Sequence, residues 1–312
     1  MPAPPNNFFA GIEVSQTLLR GAVVSADGEV IKRAESSFQP DSFTSDVAGL
    51  VSKLREAGEI QCVGLALPGL VNRDTDQLLA STGLPSFVRA DLHAELMTAT
   101  GVRVELENDA NAAAYGEYKV GAGRNARELF YILIGDHVGG ALILNGKLWT
   151  GTAGCAGEIG HVTINPDGIQ CECGNVGCLE TIASGPNIAR RARERLNRDS
   201  TSSLSRLATT EDFTAADLAH EATNGDDFSV MMIERTGKFI GIAVANIINL
   251  LSVERVILGG AVMEAGELIL QPIIGEASKR SFLPCFESTK IVGGDLGADA
   301  IPVGAALLAR DT

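Results

Sequence analysis

Between Gly157 and Glu180 the chain reads GEIGHVTINPDGIQCECGNVGCLE, and this stretch limits the fold more than any other. His161, Cys171, Cys173 and Cys178 follow one another with nine, one and four residues between successive members. Gly168, Gly174 and Gly177 give the backbone the freedom to fold those four side chains together. Three thiolates and an imidazole form a soft, four-coordinate set suited to a tetrahedral Zn²⁺. The pattern supplies no fifth protein ligand and no water position, so the expected role is structural, and a zinc hydrolase is disfavoured. An incidental or disulfide-bonded cluster is the alternative; in a reduced chain, short loops of Cys and His favour metal.

The rest of the composition describes the setting of that loop. With 312 residues, 45% of them hydrophobic, the chain is long enough for two domains with real cores. Its longest apolar tract, Phe239–Val253, is shorter than the ~20 residues a bilayer-spanning helix needs and carries Asn246 and Asn249, so a buried helix is expected. The N-terminal MPAPPNNFFAGIEV has neither a basic start nor a long apolar run, and no secretory signal is expected. Of six cysteines three belong to the loop, while Cys62, Cys155 and Cys285 are scattered. That usage fits a reducing compartment, the cytoplasm, better than a disulfide scaffold. A net charge of −14 repels nucleic-acid phosphates, so neither nucleic acid nor membrane is an expected partner.

Taken in order, the chain predicts strands over Phe8–Val14, Leu18–Ser25 and Glu29–Phe38 after a Pro-rich leader. A helix over Asp41–Ala57 follows, capped by Asp41 or Ser42, then a fully apolar strand over Gln61–Leu67. Arg89–Thr100 reads as a helix, Val102–Glu107 as a strand and Asp109–Val120 as an Ala-rich helix, which puts Asn108 and Asp109 at a strand-to-helix junction. A second similar series starts with strands over Leu129–Ile134 and Val138–Leu144, an Asn145-Gly146 hairpin turn and a return through Trp149. Helices are expected over Leu179–Ala183, Pro186–Arg198, Ala215–Thr223, Phe228–Leu251, Ala265–Ser278 and Ile301–Ala309, with a polar Ser/Thr stretch near Thr201. Strands are expected over Glu254–Leu258 and Lys290–Val292.

The elements GEIGH (157–161), CECGNVGCLE (171–180) and ENDANAAAYGE (107–117) resemble the ROK family, which groups sugar kinases with sugar-responsive repressors of the NagC and Mlc type. The resemblance runs from Phe8 to the last helix. It implies an α/β, actin-like ATPase (ribonuclease H-like) fold of two lobes with a cleft and a zinc-binding loop. The small lobe would take residues 1–118 and 298–312, with the last helix packed back on it. The large lobe would take 119–297, including the zinc loop 161–178. A homodimer is the family's usual assembly.

The resemblance also assigns roles. Asp109 is the general base toward a sugar hydroxyl and Asn108 a sugar ligand; the plain alternative for Asp109 is a helix N-cap. Glu158, His161 and Glu180 match the remaining sugar contacts, with one ring nitrogen of His161 on the zinc and the other toward the sugar. On the phosphate side the family's DxGGTK turn is here Glu13-Val14-Ser15-Gln16-Thr17-Leu18. Glu13 keeps the charge that serves Mg²⁺ and Thr17 the hydroxyl, but Ser15 and Gln16 replace both glycines. The second phosphate turn, usually GTGVGGG, is Gly135-Asp136-His137-Val138-Gly139-Gly140-Ala141, and Asp136 puts negative charge near phosphates. Gly139, Gly140 and the Gly259-Gly260 turn are retained for the nucleotide.

Two functions follow. The favoured one is an ATP- and Mg-dependent kinase of a small-molecule hexose, because the sugar residues and the base are all present. The alternative is a non-catalytic sugar sensor with degenerate phosphate loops, which only seven residues before Phe8 would leave without a helix-turn-helix and dependent on a partner. Either way the zinc braces the sugar pocket. Its removal, verified by metal analysis, is expected to disorder the loop carrying His161 and Glu180 and abolish sugar binding; unchanged sugar affinity in metal-free protein refutes this.

Overall fold

The computed structural model describes residues 7–73, 75–81, 83–89, 91–196, 202–207 and 213–312. The leader at 1–6, Thr201 and the last two residues of the helix expected to end at Arg198 lie outside the described residues. The chain divides into two compact units. One comprises the described parts of Met1–Asn125, Ala141–Ala156 and Ala298–Thr312; the other comprises those of Ala126–Gly140 and Gly157–Gly297.

The first unit opens with a meander of β1 (Phe8–Val14), β2 (Leu18–Val24) and β3 (Val30–Ser37), followed by α1 (Phe43–Leu54) and β4 (Ile60–Leu67). A short hairpin, β5 (Leu70–Asn72) and β6 (Gln77–Ala80), leads to α2 (Leu92–Thr100), β7 (Arg103–Asn108) and α3 (Asp109–Val120). The sheet order is β3-β2-β1-β4-β7, antiparallel through the meander and parallel from β1 to β4 to β7. Strand alternation sorts the two faces of β1. Phe8, Ala10, Ile12 and Val14 join Phe43, Val47, Leu50 and Leu54 of α1 in one apolar cluster. The other face of β1 and β4 receives the C-terminal helix, through Gly11 and Gly64. A Cβ on Gly11 would lie 1.8 Å from Pro302 O, and one on Gly64 would lie 2.0 Å from Ala305 O.

The second series begins with β8 (Leu129–Ile134), β9 (Val138–Leu144) and β10 (Lys147–Trp149). Asn145 and Gly146 both adopt positive φ (53° and 73°), the turn that matches hairpin twist. Helices α4 (Glu180–Ala183), α5 (Gly185–Leu196), α6 (Leu204–Leu207), α7 (Ala215–Thr223) and α8 (Asp227–Leu251) precede β11 (Arg255–Gly259). Then come α9 (Glu267–Arg280), α10 (Leu283–Ser288), β12 (Lys290–Gly293) and α11 (Ala300–Asp311). This sheet runs β10-β9-β8-β11-β12, the topology of the first sheet repeated, with β8, β11 and β12 parallel. The apolar tract becomes the C-terminal half of α8, which is N-capped by Asp226 (Ser229 N–H to Oδ1, 2.8 Å). Gly237 and Gly241 of α8 admit α9 at close range. No described helix is long and apolar enough to cross a membrane.

Several boundaries move for local reasons. A 3₁₀ turn over Pro40–Ser42 delays α1 to Phe43, and the Ser42 hydroxyl bonds the Asp46 carboxylate in place of a helix amide. Gly266, at φ 57°, separates the 3₁₀ turn Ala261–Ala265 from α9, so the helix expected from Ala265 starts at Glu267. The hairpin β5–β6 and helices α6 and α10 have no counterpart among the expected elements.

The C-terminal helix is pinned by charge as well as by packing. The Asp311 carboxylate accepts from Tyr115 Oη (2.6 Å), Lys119 Nζ (2.8 Å) and Arg310 Nε (2.7 Å). Burial pulls this carboxyl upward, but those three hydrogen bonds outweigh it and hold it well below the usual aspartate range. A depressed folded pKa adds stability that is complete above the unfolded value of about 4 and is lost as pH falls through the folded one. Asp311→Asn is therefore expected to melt below wild type at neutral pH, with the gap narrowing only as the buffer is taken well under pH 4. Equal melting temperatures at pH 7 would contradict it.

Candidate functional site

The β7–α3 junction has to satisfy the leading amides of α3. Asn108, in extended conformation, is the N-cap, and its Oδ1 accepts the Asn111 N–H at 3.0 Å. Its Nδ2 donates to Gly69 O at 2.9 Å, which fixes the amide from both ends. Asp109 is thus the first helical residue and not the cap. Its Oδ1 accepts the Ala110 N–H at 2.8 Å, at the positive end of the helix, which favours negative charge and gives the carboxylate a direction. Just before it, Glu107 is almost fully buried. Its Oε1 accepts the Asn108 N–H (2.8 Å) and Asn111 Nδ2 (3.0 Å), and Oε2 faces Arg73 Nε at 3.1 Å.

In the second unit the four expected metal ligands converge. One donor atom from each of His161, Cys171, Cys173 and Cys178 lies within 4.8 Å of every other. Cys171 Sγ to His161 Nδ1 is 3.7 Å and Cys173 Sγ to Cys178 Sγ is 3.8 Å. A tetrahedron with Zn–S bonds of about 2.3 Å has edges of about 3.8 Å, so the set fits zinc in donor type and in size. The loop is closed by bridges between Thr163 and Cys178 and between Gln170 and Val176. Gly177 makes it feasible: at φ 73° it packs so that a Cβ would fall 1.6 Å from Asn165 O.

His161 turns Nδ1 to the cysteines and Nε2 toward Glu158 Oε2, 3.8 Å away. Burial pushes the Glu158 carboxyl up; His161 pulls it back, and Glu180 adds to the rise. Glu180 begins α4. One of its oxygens accepts the Val138 N–H (3.2 Å) and the other lies 3.8 Å from His137 Nδ1. Burial again pulls upward, but His137, the Val138 amide and His161 outweigh it, so Glu180 sits below the ordinary glutamate range. Two adjacent carboxyls are thereby driven apart, one toward the neutral and one toward the charged form.

In the turn expected to meet phosphate, Ser15 closes β1–β2 with both its N–H (3.0 Å) and its hydroxyl (3.1 Å) on Leu18 O, leaving Thr17 exposed. The Glu13 carboxylate is held by Arg20 Nη1 at 3.0 Å, across the strand pair. In the second turn Asp136 is exposed and Gly139 half-buried, while Gly140 is buried against Gly157 O, 2.5 Å from where a Cβ would be. Gly259 and Gly260 have packing reasons of their own. A Cβ on Gly259 would strike Tyr131 Oη at 1.8 Å, and one on Gly260 would strike Ile134 O at 2.1 Å.

The paired topology, the END junction and the Cys/His loop coincide with one family pattern: the model described as "ROK family" matches residues 9–312. The chain belongs to the ROK family. Its fold is accordingly the actin-like ATPase fold of the ROK kinases. A glucokinase from Thermotoga maritima is 33% identical over 313 residues, spanning 98% of this chain and 98% of its own. A ROK family glucokinase from Streptomyces griseus, solved in complex with glucose and AMPPNP, has a TM-score of 0.89 and 28% identity, covering 98% of this chain and 100% of that one. The xylose repressor of Bacillus subtilis is 29% identical, over 97% of this chain and 77% of its own.

Sequence reasoning drew the four Cys/His residues together and put Asn108 and Asp109 at the strand-to-helix junction of this ROK protein, but missed Arg73, Glu107, Asn111 and Arg20. Nothing in local spacing links Arg73 to Glu107. The cross-strand register that faces Arg20 to Glu13 could have been read from the Ser15–Thr17 turn. Gly177→Ala is expected to break the loop, since the added methyl meets backbone and the φ is strained. Zinc content near zero in the purified variant, against one per chain in wild type, checks this.

Proposed function

We propose that this ROK protein is an ATP-dependent hexose kinase of the glucokinase type. The observation that carries the proposal is the β7–α3 junction. Asn108 takes the capping duty there, and Asp109 is the carboxylate at the positive end of α3. Its role is to take the proton of the attacking sugar hydroxyl as oxygen bonds to the terminal phosphorus of ATP and ADP leaves. Full-length similarity to glucokinases supports the same substrate class. Asn108, Glu158, His161 and Glu180 hold the hexose hydroxyls, the carboxylates accepting and the amide donating.

Zinc on His161, Cys171, Cys173 and Cys178 braces the loop that presents Glu158 and Glu180, and takes no part in the reaction. Glu13 and Thr17, with the amides near Gly139, Gly140, Gly259 and Gly260, are the residues for ATP phosphates and magnesium; the metal would neutralise the transferred phosphoryl group. The division into a small lobe of 1–118 plus 298–312 and a large lobe of 119–297 belongs to the same reading. So do a cytoplasmic location and a homodimer that does not bind nucleic acid.

One observation favours a second reading, a sugar sensor without turnover: Glu13 is engaged by Arg20, in a turn that lacks the glycines. Sugar-dependent ADP release from Mg-ATP, run over a hexose panel on wild type and Asp109→Asn with sugar binding measured in the same samples, separates the two. The kinase reading expects turnover that falls about 100-fold or more in Asp109→Asn while sugar still binds. Tight sugar binding with no ADP release from wild type would establish the sensor.

A further inference from the structure

Glu107 has no part in the proton transfer assigned to Asp109, yet it is 3% exposed and sits at the centre of a closed ring of contacts. Its Oε1 accepts the Asn108 N–H and Asn111 Nδ2. Asn111, in the first turn of α3, donates its own N–H to Asn108 Oδ1. Asn108 Nδ2 donates to Gly69 O, and Gly69 leads straight into β5. Arg73, in the turn after β5, comes back to Glu107 with Nε 3.1 Å from Oε2, an ion-pair distance without an aligned hydrogen bond. Arg73 Nη2 also reaches Thr312 Oγ1 at 3.4 Å, after the end of α11.

The ring leaves the Asn108 amide with no freedom to flip, because its oxygen and its nitrogen each have a fixed backbone partner. An Asn side chain has two N–H donors and two lone pairs. One of each is used inside the ring; the other of each is what Asn108 can give to a hydroxyl.

We propose that the Arg73–Glu107 ion pair is a positioning device for the hexose, locking hairpin β5–β6 to the start of α3 so that Asn108 meets the sugar in one orientation. This rests on the role given to Asn108 and Asp109 under the proposed function. Burial holds Glu107 above the usual carboxylate range, with Arg73, Asn111 and the Asn108 amide pulling it back. Without the guanidinium, burial favours the neutral acid with its proton on Oε2, and Oε1 then accepts the two N–H groups as a neutral carbonyl, a weaker acceptor than a carboxylate. Asn108 and Asn111 are then aimed less firmly. A misplacement of about 1 Å at a positioning group costs about 100-fold in rate, so even partial loss is measurable.

The test uses Arg73→Gln, Arg73→Lys and Glu107→Gln in the full chain. Glucose, N-acetylglucosamine, mannose, fructose and allose serve as probes for calorimetric Kd, and KM is measured for the sugar and for ATP separately. Arg73→Gln is expected to raise sugar Kd and sugar KM by about tenfold or more while ATP KM stays put, and Arg73→Lys to recover part of the loss. Arg73 is at the half-exposed end of the pair, so this variant reports even if Glu107→Gln fails to fold. Wild-type sugar Kd in Arg73→Gln, with or without a lower melting temperature, overturns the proposal and leaves the kinase reading standing. A wild type that binds none of the five sugars overturns both.

Discussion

The leading amides of a helix have no partner in the turn before them, and in this protein the candidate site is built on how one helix solves that. At the start of α3, Asn108 accepts one amide and Asp109 another, while Glu107 accepts the amide of Asn108 itself. A side-chain cap is worth about 1 kcal/mol, a modest gain in stability. Its larger effect is directional. With Asn108 as the cap, the carboxylate that follows sits at the positive end of the helix, and the buried Glu107 behind it makes the arrangement rigid. Structure and chemistry ask for the same atoms in the same places.

The Cys/His loop meets a related constraint by different means. A stretch from His161 to Cys178 with little regular structure satisfies its backbone through turns and two isolated bridges, with bonds such as Ile164 N–H to Gly177 O and Cys171 N–H to Asn175 O. Four side-chain donor atoms that could hold a metal gather on it, beside Glu158 and Glu180. Because His161 faces the cysteines with one nitrogen and Glu158 with the other, the Cys/His cluster is tied to a neighbouring carboxylate.

Much of the fold was legible in the sequence. The strands Phe8–Val14, Leu129–Ile134 and Val138–Leu144 and the helices Asp109–Val120 and Ala215–Thr223 stand where periodicity put them, since each has a buried run or face with an abrupt turn or cap at its ends. The hairpin β5–β6 was missed because its strands are very short and carry little hydrophobic pattern. The site was legible where its residues are contiguous, as in ENDAN and the Cys-rich loop. It was illegible where a pair is made by tertiary proximity, as for Arg73 and Glu107. Gly259 and Gly260 carry a subtler lesson. Motif reasoning gives them to the nucleotide, but Tyr131 and Ile134 already forbid a side chain at either position. A family glycine can have two reasons to be glycine.

Helix α11 lies against β1, β4 and α3 so closely that Gly11, Gly64, Gly116 and Gly304 leave no room for a methyl group. The ribosome makes those strands early and α11 only after the entire second unit. During synthesis the first unit is therefore a sheet with one bare apolar face, held open until a helix from far along the chain arrives. That face of β1 and β4 is the one a nascent chain leaves bare longest, the kind of apolar surface that calls for a chaperone's cover.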